Sequence, residues 1–579
     1  MKTLIVALNS KYIHSSLAPW YLKAACDGAR GEIKVAEFTI NENIEAVLSA
    51  IYFEKPDVAA FSCYIWNIGH VLRLAENLKK ILPEVIILCG GPEVSYDPAE
   101  LLAAYNSVDY VISGEGETVF CRLLESIDSK TPDKLPKMRG VSYRDGSGAV
   151  KSSLPAEPPD LGGLPSPYTP EMLAAVKGKI AYFESSRGCP FSCAYCLSSV
   201  TGGVRYFPIE RVKNDLVRLA NAGVRQVKFV DRTFNCHPGR AKEIFRFIID
   251  SYGKQEQWRD INFHFEAAAD IFDAEMLEIL SKAPSGLIQL EIGIQSANGR
   301  TLEAVGRKTD MEKAFGNIRA LLRPGNIHIH LDLIAGLPYE DLDSFKTSFN
   351  KVLGLKPHNL QLGFLKLLKG SPLRRDAGLH GYNFRSYAPY ELLSGNYMSF
   401  EDLALLKGIE ELVDRYWNTG RFAETMEVIT SCFSSPFDFF AGFLEFIRSR
   451  GYAVQAAGGK ELYTLLLDYG ETIEGLDKTL LKESLKLDFL ASDSSRHLPD
   501  GLERVTVEGF QDMCFALLKD EKLLARFLPA YAGMPAKQIF KKVHFEHIKI
   551  GKEQKLFLFD YSLKNPVTGR YIYYQLDSF

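Results

Sequence analysis

Arg187-Gly188-Cys189-Pro190-Phe191-Ser192-Cys193-Ala194-Tyr195-Cys196 is the stretch on which the fold turns. Its Cys-x3-Cys-x2-Cys spacing sets three thiolates on one short loop, and thiolates are the ordinary protein ligands of iron–sulfur clusters. Three of them satisfy three irons of a four-iron cube and leave the fourth open to a chelating molecule. Cys189, Cys193 and Cys196 are therefore expected to ligate a [4Fe–4S] cluster. Zinc is the competing occupant, but a closed zinc site needs a fourth ligand, usually from a second close pair. The next candidates downstream, Cys236 and His237, carry no such pairing signature.

Outward from this loop, strand and helix patterns alternate. Ile180–Ser185 reads as a strand before it, and Val224–Val230, Asn262–Ala267, Leu287–Gly293, Ile327–Ile334 and Asn359–Phe364 read as strands after it, with helical spacing between them. Six βα units predict a partial barrel over residues 178–375, with functional groups at the carboxyl ends of the strands. Polar residues stand there: Asp231-Arg232-Thr233, Glu266, Glu291, Gln295, Ser296 and Asp332, followed by Gly336-Leu337-Pro338. A polar group buried without a partner costs about 1–3 kcal/mol. Each alone also reads as a satisfied barrel residue or helix cap; together they point to a shared ligand.

Residues 1–140 alternate in the same way. Buried runs at Thr3–Leu8, Ile33–Phe38, Asp57–Ser62, Val85–Cys89 and Asp109–Ile112 predict a Rossmann-like α/β domain with a parallel sheet. Such sheets bind ligands at their carboxyl edge, where Ser62, Gly90-Gly91-Pro92-Glu93 and Gly114-Glu115-Gly116-Glu117 fall. Tight βα turns alone would also account for these glycines. The dinucleotide fingerprint is absent, which excludes a nicotinamide cofactor from the expectations. Prolines and a short hairpin near Gly140–Val150 mark 141–177 as a linker.

The remainder, 376–579, reads as mainly helical and ends in a small antiparallel sheet of three strands near Val543–Ile548, Leu556–Tyr561 and Tyr571–Gln575. Its aromatic strand Tyr571-Ile572-Tyr573-Tyr574 reads as core. No further cysteine group exists for a second cluster. With 68 basic and 72 acidic residues the net charge is −4, so no affinity for nucleic acid or anionic membrane is indicated. There is no apolar run long enough to span a membrane and no disulfide framework among the ten cysteines. A reducing cytoplasm is the expected location.

The cysteine spacing, with the aromatic Tyr195 before the third cysteine, resembles the radical S-adenosylmethionine (SAM) superfamily. Residues 1–140 resemble the cobalamin-binding domain that precedes many of those enzymes, through Gly90-Gly91-Pro92-Glu93 and Asp109-Tyr110-Val111-Ile112-Ser113-Gly114-Glu115-Gly116-Glu117. The tail resembles a domain of unassigned function found in one branch of them. This resemblance implies that SAM chelates the open iron and is reduced to methionine and a 5′-deoxyadenosyl radical. It implies SAM contacts from Glu266 and Asp332 (ribose), Gln295, Arg307 (carboxylate), Tyr195, and the backbone of Gly336 and Pro338. It implies cobalamin contacts from Ser62, Gly90, Gly91, Glu93, Gly114 and Glu115. Two departures stand out. The Asp-x-His-x-x-Gly motif of other cobalamin proteins is missing, and Asp231-Arg232-Thr233-Phe234 replaces the usual Gly-Gly-Glu after the second barrel strand. The implied reaction is methylation of an unactivated carbon of a small-molecule or otherwise unknown substrate, with an electron donor such as flavodoxin or ferredoxin. Radical cyclisation or rearrangement without methyl transfer, and a non-enzymatic cobalamin or redox sensor, remain the alternatives.

Overall fold

A computed structural model describes residues 1–26, 31–130, 138–200, 202–451, 458–495, 497–505, 507–551 and 553–576. The first sheet has seven strands in the order β2-β1-β3-β4-β5-β6-β7: β1 (Lys2–Asn9), β2 (Glu32–Thr39), β3 (Val58–Ser62), β4 (Ile86–Gly90), β5 (Tyr110–Ile112), β6 (Val141–Arg144) and β7 (Val150–Lys151). The first five are parallel. β1 and β3 are buried along almost their whole length, because helices cover both faces of a parallel sheet. The antiparallel β6–β7 hairpin, which the proline pattern places in the linker, instead completes this sheet against β5. Its apolar Val141 is buried there.

The second sheet is the open barrel. Its six parallel strands run in the order β15-β14-β13-β12-β11-β8: β8 (Ile180–Phe183), β11 (Gln226–Phe229), β12 (Asn262–Ala267), β13 (Ile288–Gln295), β14 (His328–Ala335) and β15 (Asn359–Phe364). Between β8 and β11 the cysteine stretch forms a separate antiparallel hairpin of β9 (Ser186–Cys189) and β10 (Gly203–Tyr206). Alternation along β13 and β14 puts Leu290, Ile292, Ile329 and Leu331 against the outer helices with no exposure and turns the intervening residues inward.

An open barrel leaves two edge strands whose backbone needs partners. At β8, the segment after β1 supplies them: the Ile180 N–H donates to the Ile13 carbonyl at 3.0 Å, and Ser15 Oγ donates to the Ile180 carbonyl. At β15 the partner is a side chain. Asn418 accepts the Leu360 N–H at 2.8 Å and donates to the Leu360 carbonyl at 3.0 Å.

Asn418 belongs to the C-terminal region, which packs along this edge through helices 400–412, 423–430 and 436–449. Phe437 and Phe440 meet Phe349 edge-on. The part of this region that reaches the carboxyl rim of the barrel is the hairpin of β16 (Asn383–Phe384) and β17 (Leu392–Ser394), whose Leu392 packs on Gly336. The chain ends in the antiparallel sheet of β18 (Val543–Ile550), β19 (Glu553–Lys564) and β20 (Tyr571–Leu576). No described helix is long and apolar enough to cross a membrane.

Candidate active site at the barrel rim

Cys189 ends β9, and Cys193 and Cys196 follow in the loop that returns as β10. Backbone geometry shapes this loop. Gly188 has φ +98°, and a Cβ there would overlap the Gly203 carbonyl oxygen across the hairpin. The Ala194 N–H donates to the Val305 carbonyl, and the Leu373 N–H to the Ala194 carbonyl, each at 2.9 Å. Asp231 anchors the root of the hairpin. Its buried carboxylate accepts the Ser185 N–H at 2.9 Å and the hydroxyls of Ser185 and Ser186 at 2.7 and 2.5 Å. Burial holds that carboxyl above its ordinary range. Thr233 Oγ1 lies 3.6 Å from Cys189 Sγ.

Cys236 rests its thiol 3.4 Å from the Tyr206 hydroxyl, and His237 Nδ1 accepts the Arg240 N–H as a helix cap. Among the described residues no three His, Cys, Asp or Glu side chains, the three loop cysteines included, are gathered as ligands of one metal ion.

Gly293 is the hub beside the loop. Arg307 donates one guanidinium N–H to the Gly293 carbonyl and sets its other terminal nitrogen 3.9 Å from Cys193 Sγ. Gln295, at a bulge in β13 with φ +70°, fills the space a Gly293 side chain would take. Asp332 is the register partner of Gly293 on β14. Buried atoms lack protein partners here: Arg307 Nε and Gln295 Oε1 make no hydrogen bond. Asp332 Oδ1 sits 3.1 Å from His330 Nε2 without hydrogen-bond alignment. Tyr195 lies against Cys193 and Arg307, and burial raises its phenol.

One layer deeper the lumen is lined with charge. Register puts Glu266 beside Glu291, Glu291 beside His330, and Lys228 between Tyr182 and His264. Glu291 Oε2 is 2.9 Å from His264 Nε2 and 3.3 Å from Lys228 Nζ. Burial would raise the Glu291 carboxyl, but these neighbours bring it down to about 2. Glu266 is pushed up to about 7, chiefly by burial, and burial also raises Asp332. Burial would lower His330, yet Asp332 outweighs it and holds the imidazole above its ordinary value. The Gly336 carbonyl accepts the Tyr382 hydroxyl at 2.9 Å, and Pro338 is buried behind it.

At the carboxyl edge of the first sheet, Ser62, Gly90 and Ile112 lie side by side on β3, β4 and β5. The hydroxyls of Ser62 and of Ser113, one residue beyond, are buried with no protein partner. Buried hydroxyls are normally hydrogen-bonded, so these two remain available to a ligand's polar groups. Gly91 (φ +123°) and Gly114 (φ +91°) bring backbone where side chains do not fit; a Cβ on Gly91 would stand 2.5 Å from the Cys63 carbonyl oxygen. The glutamates of these turns are engaged elsewhere. Glu93 accepts the Tyr390 hydroxyl, and Glu115 pairs with Arg187 at 2.6 Å and with Arg205.

Family comparisons fall on these same segments. Residues 183–352 match the Radical SAM superfamily, residues 3–124 the B12 binding domain, and residues 378–557 a family described as a protein of unknown function (DUF4080). This chain joins a B12-binding domain to a radical SAM domain. Among curated relatives, the cobalamin-dependent radical SAM methyltransferase TokK of Streptomyces tokunonensis is 29% identical over 57% of this chain and 50% of its own. The 2-(S-pantetheinyl)-carbapenam-3-carboxylate methyltransferase of Streptantibioticus cattleyicolor is 29% identical with the same shares. The chain thus spans about half the length of the curated relatives it matches. The fold is shared with the cobalamin-dependent SAM radical enzyme OxsB (TM-score 0.59, 16% identity, 84% of each chain). It is shared also with TsrM from Kitasatospora setae (TM-score 0.54, 17% identity, 67% of this chain and 78% of that one).

A radical SAM domain implies a [4Fe–4S] cluster and SAM, and a B12-binding domain implies cobalamin. The donor sets fit them. Three cysteines outside any disulfide stand on the cluster loop, polar atoms of Arg307 and Gln295 without a protein partner stand beside it, and two orphan hydroxyls stand at the first sheet's edge. Lys228, His264 and His330 escaped the sequence analysis as lumen residues. Their signal is present: His328-Ile329-His330-Leu331-Asp332-Leu333 alternates polar and apolar, which is a strand with a polar inner face.

Proposed function

We propose that the protein is a cobalamin-dependent radical SAM methyltransferase acting on an unactivated carbon of a small molecule. The observation that carries this is the convergence of Cys193, Arg307, Gln295 and Asp332 around Gly293, where Arg307 Nε and Gln295 Oε1 have no protein partner. When bound, the cluster supplies the electron that cleaves SAM to methionine and the 5′-deoxyadenosyl radical, and cobalamin supplies the methyl group.

The chain's own residues do the positioning. Arg307 offers its free Nε to the methionyl carboxylate, in the fork geometry that suits carboxylates. Asp332 and Glu266 accept from ribose hydroxyls; Glu266, held near neutrality by burial, also serves as a donor below about pH 7. Gln295 and Tyr195 flank the ligand, and Gly336 and Pro338 wall its adenine side. Cys189, Cys193 and Cys196 bind the cluster. Ser62, Gly90, Gly91 and Gly114 face cobalamin with hydroxyls and bare backbone, while Glu93 and Glu115 hold those turns in place from behind. The protein takes its electron from a flavodoxin or ferredoxin.

The test is anaerobic purification with cluster reconstitution. Iron content, cobalamin absorbance, 5′-deoxyadenosine release, and methyl transfer from labelled SAM to small molecules of a native extract are all read. Cys193→Ala abolishes 5′-deoxyadenosine and leaves the cobalamin band. Release of 5′-deoxyadenosine with product that carries no label points to cyclisation or rearrangement instead. Loaded protein that never cleaves SAM points to a sensor.

A further inference from the structure

Arg187 stands two residues before the first cluster cysteine and is paired in the hairpin register with Arg205. Its side chain is 14% exposed and meets three carboxylates: Glu115 at 2.6 Å, Glu117 at 2.6 Å and Glu184 at 2.7 Å. The guanidinium also lies over the rings of Tyr21 at 5.1 Å and Phe207 at 5.7 Å. Arg205 adds a second bond to Glu115 and donates to the Pro159 carbonyl at 2.9 Å.

Glu115 lies in the turn after β5, on the edge where the orphan hydroxyls stand, and Glu117 opens the helix that follows that turn. Glu184 and the two arginines belong to the barrel. One buried ion-pair cluster therefore ties the turn that faces the cobalamin site to the strand that carries Cys189. The turn itself is fixed: the Ala156 N–H donates to the Ser113 carbonyl at 2.9 Å, and a Cβ on Gly114 would stand 3.0 Å from the Ala156 nitrogen. On the barrel side Asp231 fixes Ser185 and Ser186, the residues that lead into Arg187.

We infer that Arg187 is a positioning residue that sets the separation between cobalamin and the iron–sulfur cluster by locking Glu115 and Glu117 of the B12-binding domain to the root of the cluster loop. This rests on the proposed function, since it needs both cofactors bound. Arginine suits the role because its five donors reach three carboxylates in one plane; lysine, a point charge, holds one or two. Removing a partner from such a buried cluster leaves charge uncompensated, so the clasp does not open in the native state.

The test uses the full-length holoenzyme without substrate. In wild type, the electron spin relaxation of cob(II)alamin is enhanced when the cluster is reduced, and this enhancement reports their separation. Arg187→Gln is expected to retain iron and cobalamin and to lose part of the enhancement. Glu117→Gln, which removes one carboxylate charge and keeps its shape, loses less of it; Arg187→Lys does not restore it. If Arg187→Gln fails to hold its cluster, Glu117→Gln decides. A merely structural clasp would lower the melting temperature and leave the relaxation of loaded protein unchanged. That result, in Glu117→Gln or in loaded Arg187→Gln, overturns the inference. Wild-type protein that binds no cobalamin overturns the proposed function first, and is seen before any variant is made.

Discussion

Asp231→Asn tests how the cluster loop is held. The native carboxylate accepts one backbone N–H and two hydroxyls inside a fully enclosed site. The amide can keep its oxygen toward the Ser185 N–H and turn its NH2 toward the two hydroxyls, which rotate to accept. The bonds then lose the roughly twofold strength that a charged acceptor gives, at about 1 kcal/mol each. Against this, the neutral amide escapes the burial penalty that raises the Asp231 carboxyl. A net cost of about 1–2 kcal/mol corresponds to a melting shift of roughly 2–8 °C for a domain of this size.

The assay is differential scanning fluorimetry of apo protein, followed by iron per chain after reconstitution. Asp231→Asn is expected to melt lower and take up less iron. Ser186→Ala, which removes one hydroxyl donor, is expected to shift melting by only a few degrees at about 1 kcal/mol. If Asp231→Asn melts with wild type and reconstitutes fully, the carboxylate does not hold the hairpin and the account of the loop fails.

Gly188→Ala forces a Cβ onto the Gly203 carbonyl at φ +98°; iron uptake should collapse while cobalamin absorbance persists, and normal iron loading would refute the strain. Asn418→Ala leaves both Leu360 backbone groups at the β15 edge without partners, so a loss of about 2–4 kcal/mol is expected in denaturant unfolding; an unchanged midpoint would mean the C-terminal region does not seal the barrel. Glu340 is fully buried and pushed up to about 7 by burial, with the Ser296 and Ser348 hydroxyls pulling the other way. Its folded form holds the proton more tightly than the unfolded chain does. The stability it contributes is therefore complete below its ordinary value of 4.5, and about 3 kcal/mol is lost as pH rises from there to about 7. In Glu340→Gln that slope should vanish; a wild-type melting curve parallel to the variant's between pH 5 and 8 would show that Glu340 titrates normally.

The cluster loop stands out in the sequence because three cysteines fall at Cys-x3-Cys-x2-Cys spacing within one short stretch. The barrel strands were legible because buried parallel strands are continuous or alternating apolar runs. Arg187, by contrast, meets Glu115 across a separation of 72 residues. Nothing in local periodicity marks that pairing, and a charged residue next to a cysteine motif reads equally well as solvated. The β6–β7 hairpin was misplaced for a related reason. Its prolines and glycines describe the loops around it, while its membership of the first sheet depends on a β5 edge that only the assembled fold presents. The Cys26–Cys121 bond between helices 17–25 and 117–128 was likewise unforeseen: each cysteine stands alone in its own helical pattern.

The two Gly-Glu turns carry different duties on adjacent residues. Gly91 and Gly114 adopt left-handed backbone where a side chain would run into Cys63 and Ala156, whereas Glu93 and Glu115 bind Tyr390, Arg187 and Arg205 of the neighbouring region. A glutamate buried at a domain contact needs a fixed partner, and a partner beside the cluster loop converts that need into a geometric constraint between two cofactor sites. Substituting the glycines should therefore act on ligand entry and on the turn's own strain, and substituting the glutamates on the relation between the domains. One motif yields two separable phenotypes because backbone conformation and side-chain charge are independent variables at neighbouring positions.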